Sequence, residues 1–291
     1  MGVYHAGSRA VQDRIGVREQ ADHVGRSVGR GIREIAAAFL ELQPLLVVGA
    51  AAEGQVWASP LTGSPGFVRA TGPHRVSVAG GPLPSDPLAT AYATPGTPVG
   101  TIALDPRTRR RMRLNGRLAP TARGFAIEAD QVFSNCPKYL QKRQSYEFVP
   151  DRRPAEPRRT AQLTDDQARF VTAADTFFLA TVHEGGADAS HRGGNPGFVR
   201  VDSPGELSWR DYPGNSMFLT LGNLAADPRA GLLFLDWTTG TALQLTGEAH
   251  TEYGEDRRVR FTVREVIETP SALPLRWSAP EYSPANPDPE G

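Results

Sequence analysis

The sequence predicts a mainly β chain with flanking helices, folded as two small antiparallel barrels that pack about a pseudo-two-fold axis as an intramolecular pseudo-dimer. Three observations predict this. First, one stretch occurs twice: Pro65-Gly66-Phe67-Val68-Arg69 returns as Pro196-Gly197-Phe198-Val199-Arg200. The same shift along the chain carries Glu53-Gly54 onto Glu184-Gly185, Gly63 onto Gly194, Gly100 onto Gly231, Leu104-Asp105 onto Leu235-Asp236 and Gly116 onto Gly247. Two long copies in one register are a domain duplication, not a solenoid. Second, each copy breaks into short apolar or alternating runs separated by turn residues, the pattern of short strands. Third, six or more such strands per copy, with one helical segment between the fourth and fifth, suit a small barrel.

Residues 1–43 read as helices. Ile32, Ile35, Ala36, Phe39, Leu40 and Leu42 recur near helical spacing, and Pro44 ends the element. The first copy, 44–149, starts with the apolar run Leu45–Ala50, turns at Gly54 and continues as Gln55–Ser59. Val68–Thr71, Arg75–Val78, Val99–Asp105, Arg111–Leu118 and Gly124–Phe133 complete its strands. Between them, Gly80–Pro98 carries five prolines and leaves little room for helix, while its counterpart Gly214–Ala226 has none. Asn135–Gln144 is expected as a short helix. Residues 150–160, rich in Pro and Arg, read as a linker. Thr164 is a suitable N-cap, with Asp165 and Asp166 in the first turn of a helix running to about Ala174. The second copy, 161–277, has strands at Phe177–Val182, Ala187–Ser190, Phe198–Val201, Glu206–Arg210, Ala230–Asp236, Ala242–His250 and Arg257–Val266. The polar, Pro-rich tail 278–291 is expected to be disordered.

The 291 residues suffice for two ordinary domains. A formal charge of zero sets up no global field toward nucleic acid or membrane. The basic charge is nearly all Arg; the two lysines are Lys138 and Lys142. The single cysteine, Cys136, excludes an intramolecular disulfide and suits a reducing compartment. The sequence has neither a signal-peptide apolar segment near its start nor a run near the ~20 apolar residues of a spanning helix. The expected location is the cytoplasm.

The second copy resembles the pyridoxamine 5′-phosphate oxidase-like, FMN-binding split-barrel proteins. The resemblance lies in Ala174-Asp175-Thr176-Phe177-Phe178-Leu179-Ala180-Thr181, Ser190-His191-Arg192-Gly193-Gly194, Pro196–Val201, Gly214-Asn215, Thr220-Leu221-Gly222-Asn223-Leu224 and Leu243–Gly247. The first copy is similar to the degenerate partner half of tandem members, through Val99-Gly100, Arg109–Arg111 with Arg113, Asn115-Gly116 and Asn135–Tyr139. The resemblance implies two FMN-binding split barrels and an FMN in the groove between them. FAD, the deazaflavin F420 and haem are the alternative cofactors. The family's basic Arg-x-Val-x-Leu-Lys strand has no full counterpart here, and Asn215-Ser216-Met217 stands where Ser-x-Lys is usual.

The candidate cofactor-binding residues follow from both readings. Ser190 and Arg192 precede two glycines; a guanidinium fork suits a phosphate, and glycine lets a ligand approach the backbone. Phe198 and Val199 lie on the next strand. Asn215, Ser216, Thr220 and Asn223 lie at a helix start, where free N–H groups favour an anion. Trp209 and Tyr212 flank the groove and either stack on a flavin or pack in the barrel. In Arg107–Arg113, Met112 and Leu114 face the core, so Arg111 and Arg113 share the opposite face. His191 is either a proton donor or a surface histidine. Neither His183 nor His191 has a companion at ligand spacing, so no metal is expected.

The reading is an FMN-dependent oxidoreductase acting on a small organic substrate, with no catalytic residue assigned. The alternatives are a non-catalytic flavin or haem binder and an F420-dependent reductase. Expected partners are the substrate and an external flavin or nicotinamide reductant, with no nucleic acid or membrane. The oligomeric state is expected to be a monomeric pseudo-dimer or a homodimer.

Overall fold

The computed structural model describes residues 2–287. Helices α1 (Ala6–Ile15), α2 (Arg18–Gly25) and α3 (Glu34–Glu41) lead into a first set of strands. These are β1 (Leu45–Ala52), β2 (Gln55–Thr62), β3 (Val68–Gly72), β4 (Arg75–Ala79), β5 (Pro98–Asp105), β6 (Arg110–Thr121) and β7 (Gly124–Ser134), with the short α4 (Ala89–Ala93) before β5. Short strands β8 (Lys142–Arg143), β9 (Tyr146–Phe148) and β10 (Arg158–Thr160) precede α5 (Asp165–Ala173). The second set is β11 (Thr176–His183), β12 (Gly186–Gly193), β13 (Val199–Ser203), β14 (Glu206–Arg210), then α6 (Leu219–Ala226), β15 (Arg229–Leu235), β16 (Ala242–Glu252) and β17 (Arg258–Thr269). β18 (Leu275–Trp277) and β19 (Pro280–Glu281) follow. Among the described residues no helix is long and apolar enough to cross a membrane.

The two main sheets have one strand order. The first runs β2-β1-β5-β6-β7-β4-β3 and the second β12-β11-β15-β16-β17-β14-β13, all antiparallel. Even the bulge repeats, at Asn115/Gly116 in β6 and Thr246/Gly247 in β16. Beyond that point the offset between the copies grows: Thr121 pairs with Gly124, while Glu252 pairs with Arg258, so the second copy has the longer last hairpin turn. The architecture is mainly β, two split barrels in one chain.

Period-two alternation decides which side chains fill each barrel. On β1, Leu46, Val48 and Ala50 enter the first barrel's core, while Leu45 and Val47 face the other half. The second core is built on Phe177, Trp209, Phe234 and Phe261. Between the barrels lies a third cluster, including Val47, Ile102 and Leu104 from one half and Phe178, Leu233 and Leu235 from the other. β1 and β11 are therefore buried on both faces, which explains their unbroken apolar runs.

Close approaches mark the pseudo-two-fold axis. A Cβ built on Gly49 would lie 2.6 Å from the Cβ of Ala180, its own equivalent in the second copy. Equivalent residues meet only near the axis that relates them. Farther out, a Cβ on Gly100 would lie 2.3 Å from the Asp188 backbone, and one on Gly231 2.6 Å from Trp57 Cα. Gly100 and Gly231 are equivalents, as are Trp57 and Asp188, so one contact occurs twice. Residues 160–291 expressed alone would expose Phe178, Leu233 and Leu235, and such a patch drives association. The expected result in sedimentation and thermal melting is self-association without a cooperative monomer transition. A monomeric, cooperative melt would show that the halves are independent.

Three local expectations need correction. Residues 135–144 form no helix: Tyr139 is left-handed (φ 62°), and Gln141 and Arg143 reach into the second half. Gln141 Nε2 donates to the carbonyls of Asp175 and Gly194, and Arg143 pairs with the Asp175 carboxylate at 2.7 Å. The 150–160 linker is tied down, because Arg152 donates to the carbonyls of Leu273, Leu275 and Thr238 and β10 pairs with β17. The tail is ordered through residue 287: β19 pairs with β8, and Ser283 N and Asn286 Nδ2 both donate to Gln141 Oε1. In each case side chains of one half satisfy main-chain groups of another segment, which local composition does not register. Residues 288–291 lie outside the described residues.

The Thr164 cap holds, as a capping box with Gln167. The N-terminal helices separate: α3 packs against the first core, whereas α1 lies on α6 of the second half.

Candidate functional site

The alternation that buries Met112 and Leu114 turns Arg111 and Arg113 toward the second half. There Arg113 Nη1 meets the Asp188 carboxylate at 3.0 Å, and that buried carboxylate also accepts from Asn115 Nδ2 and Thr220 Oγ1, each at 3.2 Å. Arg111 Nη1 lies 2.7 Å from His191 Nδ1, and its Nη2 donates to the Cys136 carbonyl at 2.7 Å. A guanidinium only donates, so Nδ1 accepts and a neutral His191 carries its proton on Nε2. Burial first, then Arg111, Arg192 and Arg113, hold the His191 pKa well below the usual imidazole range. Arg192 lies near the end of β12. Its charged partner among the described residues is Asp211, at 3.6 Å, and Arg257 holds that carboxylate more closely, at 2.7 Å.

The loop into α6 completes the site. Ser216 (φ 59°) and Phe218 (φ 54°) are left-handed without being glycine, a conformation that persists only under constraint. The constraint comes from behind: Gln12 of α1, fully buried, donates to the Met217 carbonyl at 2.8 Å.

These parts enclose a cleft of two chambers. The larger holds about 740 Å³, partly open to solvent, and its walls include Arg111, Arg113, His191, Arg192, Trp209 and Tyr212. The smaller, about 410 Å³, lies against the first turn of α6 and is also lined by Arg113 and Arg192. Five N–H donors of this wall are buried without a partner: Nε of Arg111, Arg113 and Arg192, Nε2 of His191 and Nε1 of Trp209. The single unpartnered acceptor in the wall, among the described residues, is Asn135 Oδ1. Leaving a buried polar group unpaired costs about 1–3 kcal/mol. A wall so rich in unpaired donors and cations suits an anionic ligand rich in acceptors.

The structure brings together most, but not all, of the residues picked from sequence. Arg111, Arg113, Arg192, Phe198, Trp209 and Asn215 line the larger chamber; Ser216 and Thr220 line the smaller. Ser190, Val199 and Asn223 line neither. Ser190 Oγ donates to the Leu179 carbonyl, Val199 is in the barrel core, and Asn223 is engaged by Thr181 and His5. The Thr220 hydroxyl is already donated to Asp188, and Asn215 Oδ1 accepts from Met217 N. His191 is 3% exposed and so is no surface histidine. Tyr212 packs against Tyr139, ring centroids 5.1 Å apart. Sequence reasoning missed Asp188, although a lone carboxylate between Ala187 and Ala189 in a buried strand was a signal. It also missed Asn135 and Tyr139, which sat in a segment read as helix.

The equivalent place in the other half is closed. Gln244 is the second copy's counterpart of Arg113, and it donates to the Ala58 carbonyl and Ser59 Oγ, both at 3.0 Å. Ser59 Oγ in turn donates to Asp86 at 2.7 Å, and Leu61 occupies the Arg192 position. Burial pushes the Asp86 carboxyl up.

The buried His191 makes a prediction about pH. Unfolded, it takes up a proton below about pH 6.5; folded, it resists protonation to a lower pH. Stability is therefore lost as pH falls below 6.5, approaching about 1.4 kcal/mol per pH unit for one proton. His191→Gln keeps an acceptor for Arg111 but cannot titrate. Denaturant unfolding between pH 7.5 and 5 should show a shallower decline for the variant, and identical slopes would refute the assignment.

Residues 163–285 match the model of a family described as pyridoxamine 5′-phosphate oxidase. No curated protein matches the chain. Among solved structures, a candidate pyridoxamine 5′-phosphate oxidase from Lactobacillus delbrueckii is 19% identical, with a TM-score of 0.31, covering 37% of this chain and 94% of that one. An FAD-binding protein from Mesorhizobium loti is 14% identical, with a TM-score of 0.29 and coverage of 39% and 97%. The FAD-binding protein from Mycobacterium smegmatis is 12% identical, with a TM-score of 0.28 and coverage of 39% and 98%.

Proposed function

Through residues 163–285 this chain belongs to the pyridoxamine 5′-phosphate oxidase-like family, and we propose that its cleft binds one flavin mononucleotide and serves an oxidoreductase acting on a small organic substrate. The observation that carries the reading is the set of five unpaired N–H donors in one wall. Arg113, Arg192 and the start of α6 would hold the phosphate, since a guanidinium fork and free helix N–H groups both suit a dianion. His191 Nε2–H and Trp209 Nε1–H would meet acceptor atoms of the ring system, beside Phe198 and Tyr212. Bound there, the flavin would supply the redox chemistry. The protein's part is to orient it, to exclude water with the buried wall, and to keep the His191 proton on Nε2.

A non-catalytic flavin carrier is the second reading. His191 favours it, because a histidine held neutral by burial and three arginines is a fixed donor and not a proton shuttle. FAD, F420 and haem remain the competing ligands. The decisive experiment is reconstitution of the full chain with each cofactor, followed by visible spectra and stoichiometry. One FMN per chain supports the proposal, and a protein that binds none of them refutes it. Reduction by a nicotinamide donor with turnover of an acceptor would separate oxidoreductase from carrier. On this reading the protein is a soluble monomeric pseudo-dimer or a dimer of pseudo-dimers.

A further inference from the structure

The larger chamber carries more positive charge than a bound phosphate accounts for. Among the described residues, five that line it bear a guanidinium or ammonium group, Arg111, Arg113, Lys138, Arg192 and Arg210, and none bears a carboxylate. Arg113 is matched by Asp188, Arg210 by Asp256, and Arg192 shares Asp211 with Arg257. Arg111 and Lys138 have no carboxylate within ion-pair distance among the described residues. All the hydrogen bonds Arg111 makes go to neutral groups: His191 Nδ1 and the main-chain carbonyls of Cys136 and Lys138.

Position separates these two cations from the phosphate place. The start of α6 lines only the smaller chamber, Arg113 and Arg192 line both, and Arg111 and Lys138 line only the larger. Arg111 is clasped by the carbonyls of the loop that carries Lys138, so two like charges are held on one wall. Burial, then Arg113 and Arg192, bring the Arg111 pKa down to about 9, the expected response of a cation lacking a counter-charge. Beside them Tyr139 and Tyr212 offer an aromatic surface.

We propose that the second ligand of this cleft, the molecule held beside the cofactor, is an organic acid whose carboxylate sits on Arg111 and Lys138 and whose body lies against Tyr139 and Tyr212. The inference rests on the flavin reading, since the cofactor's phosphate is taken to occupy the smaller chamber. A carboxylate on a guanidinium accepts charge-assisted hydrogen bonds that a neutral amide of the same shape does not.

The test uses the FMN-loaded full chain and reads the flavin absorption spectrum during titration with benzoate and, separately, succinate, each against its neutral amide. The expected result is a saturable spectral change with at least one of the acids and none with the amides. Arg111→Gln should weaken the acid about ten- to hundred-fold, as for loss of a charge-assisted contact, and weaken FMN clearly less than Arg192→Ala does. Arg111→Lys should recover part of the loss. Should Arg111→Gln fail to fold, the exposed Lys138→Ala is expected to weaken the acid severalfold with an unchanged melting temperature. Acids and amides that behave alike, or an Arg111→Gln that weakens FMN as much as Arg192→Ala, overturn the inference while leaving flavin binding intact. A chain that binds no FMN overturns the flavin reading first, and this one with it.

Discussion

Arg192→Ala is expected to weaken FMN by about ten- to hundred-fold, whereas Gln244→Ala should leave it within about threefold. Losing a charge-assisted contact costs roughly 1.5–3 kcal/mol, which converts to that factor in affinity. Arg192 is the cleanest position for the test. Its one carboxylate neighbour among the described residues, Asp211, stays paired with Arg257 when it is removed. Arg113→Ala should weaken FMN similarly, but it also strands the Asp188 carboxylate, and an unpaired buried charge costs about 3–5 kcal/mol of stability. Gln244 sits at the Arg113 position of the other half, inside the closed Ser59–Asp86 network. Isothermal titration giving two FMN per chain, or equal losses for Arg192→Ala and Gln244→Ala, would defeat the single asymmetric site.

Gly100→Val should destabilise the whole chain by about 3 kcal/mol or more, the upper range for overpacking. Its Cβ would fall 2.3 Å from both C and Cα of Asp188 and 2.4 Å from Ala189 N. All three are backbone atoms in the middle of β12, so no side-chain rotation relieves the clash and the barrels must move apart. That separation also stretches the Arg113–Asp188 pair, so FMN affinity should drop with stability. Gly81→Ala is the control, because its Cβ meets nothing within 4 Å. A surface change of that kind usually alters stability by less than about 0.5 kcal/mol. If Gly100→Val melts with the wild type, the close packing of the halves has been misread.

Much of the fold was legible in the sequence because the signals were periodic. The constant offset between the copies, the turn residues and the two-residue alternation of β6 predicted both barrels and the facing of Arg111 and Arg113 without any knowledge of contacts. The prolines of 80–98 likewise predicted which copy would lack the longer helix. The site was less legible. Ser190, Val199 and Asn223 were picked from a motif, but which neighbour a polar side chain satisfies depends on packing; Asn223 is taken by His5, from the far end of the chain.

The amino-acid sequence by itself determined the duplicated, mainly β architecture, because strand period and turn chemistry are local properties that repeat when a segment is copied. Only the tertiary structure decided where the charges meet: Arg113 on Asp188, Arg111 on His191, and an irregular 135–144 segment, turning at a left-handed Tyr139, where a helix was expected. Those outcomes rest on burial, which makes an unpaired polar group costly enough to choose its partner from anywhere in the chain. The same physics closed one of the two equivalent sites around Gln244 and left the other lined with unpaired donors.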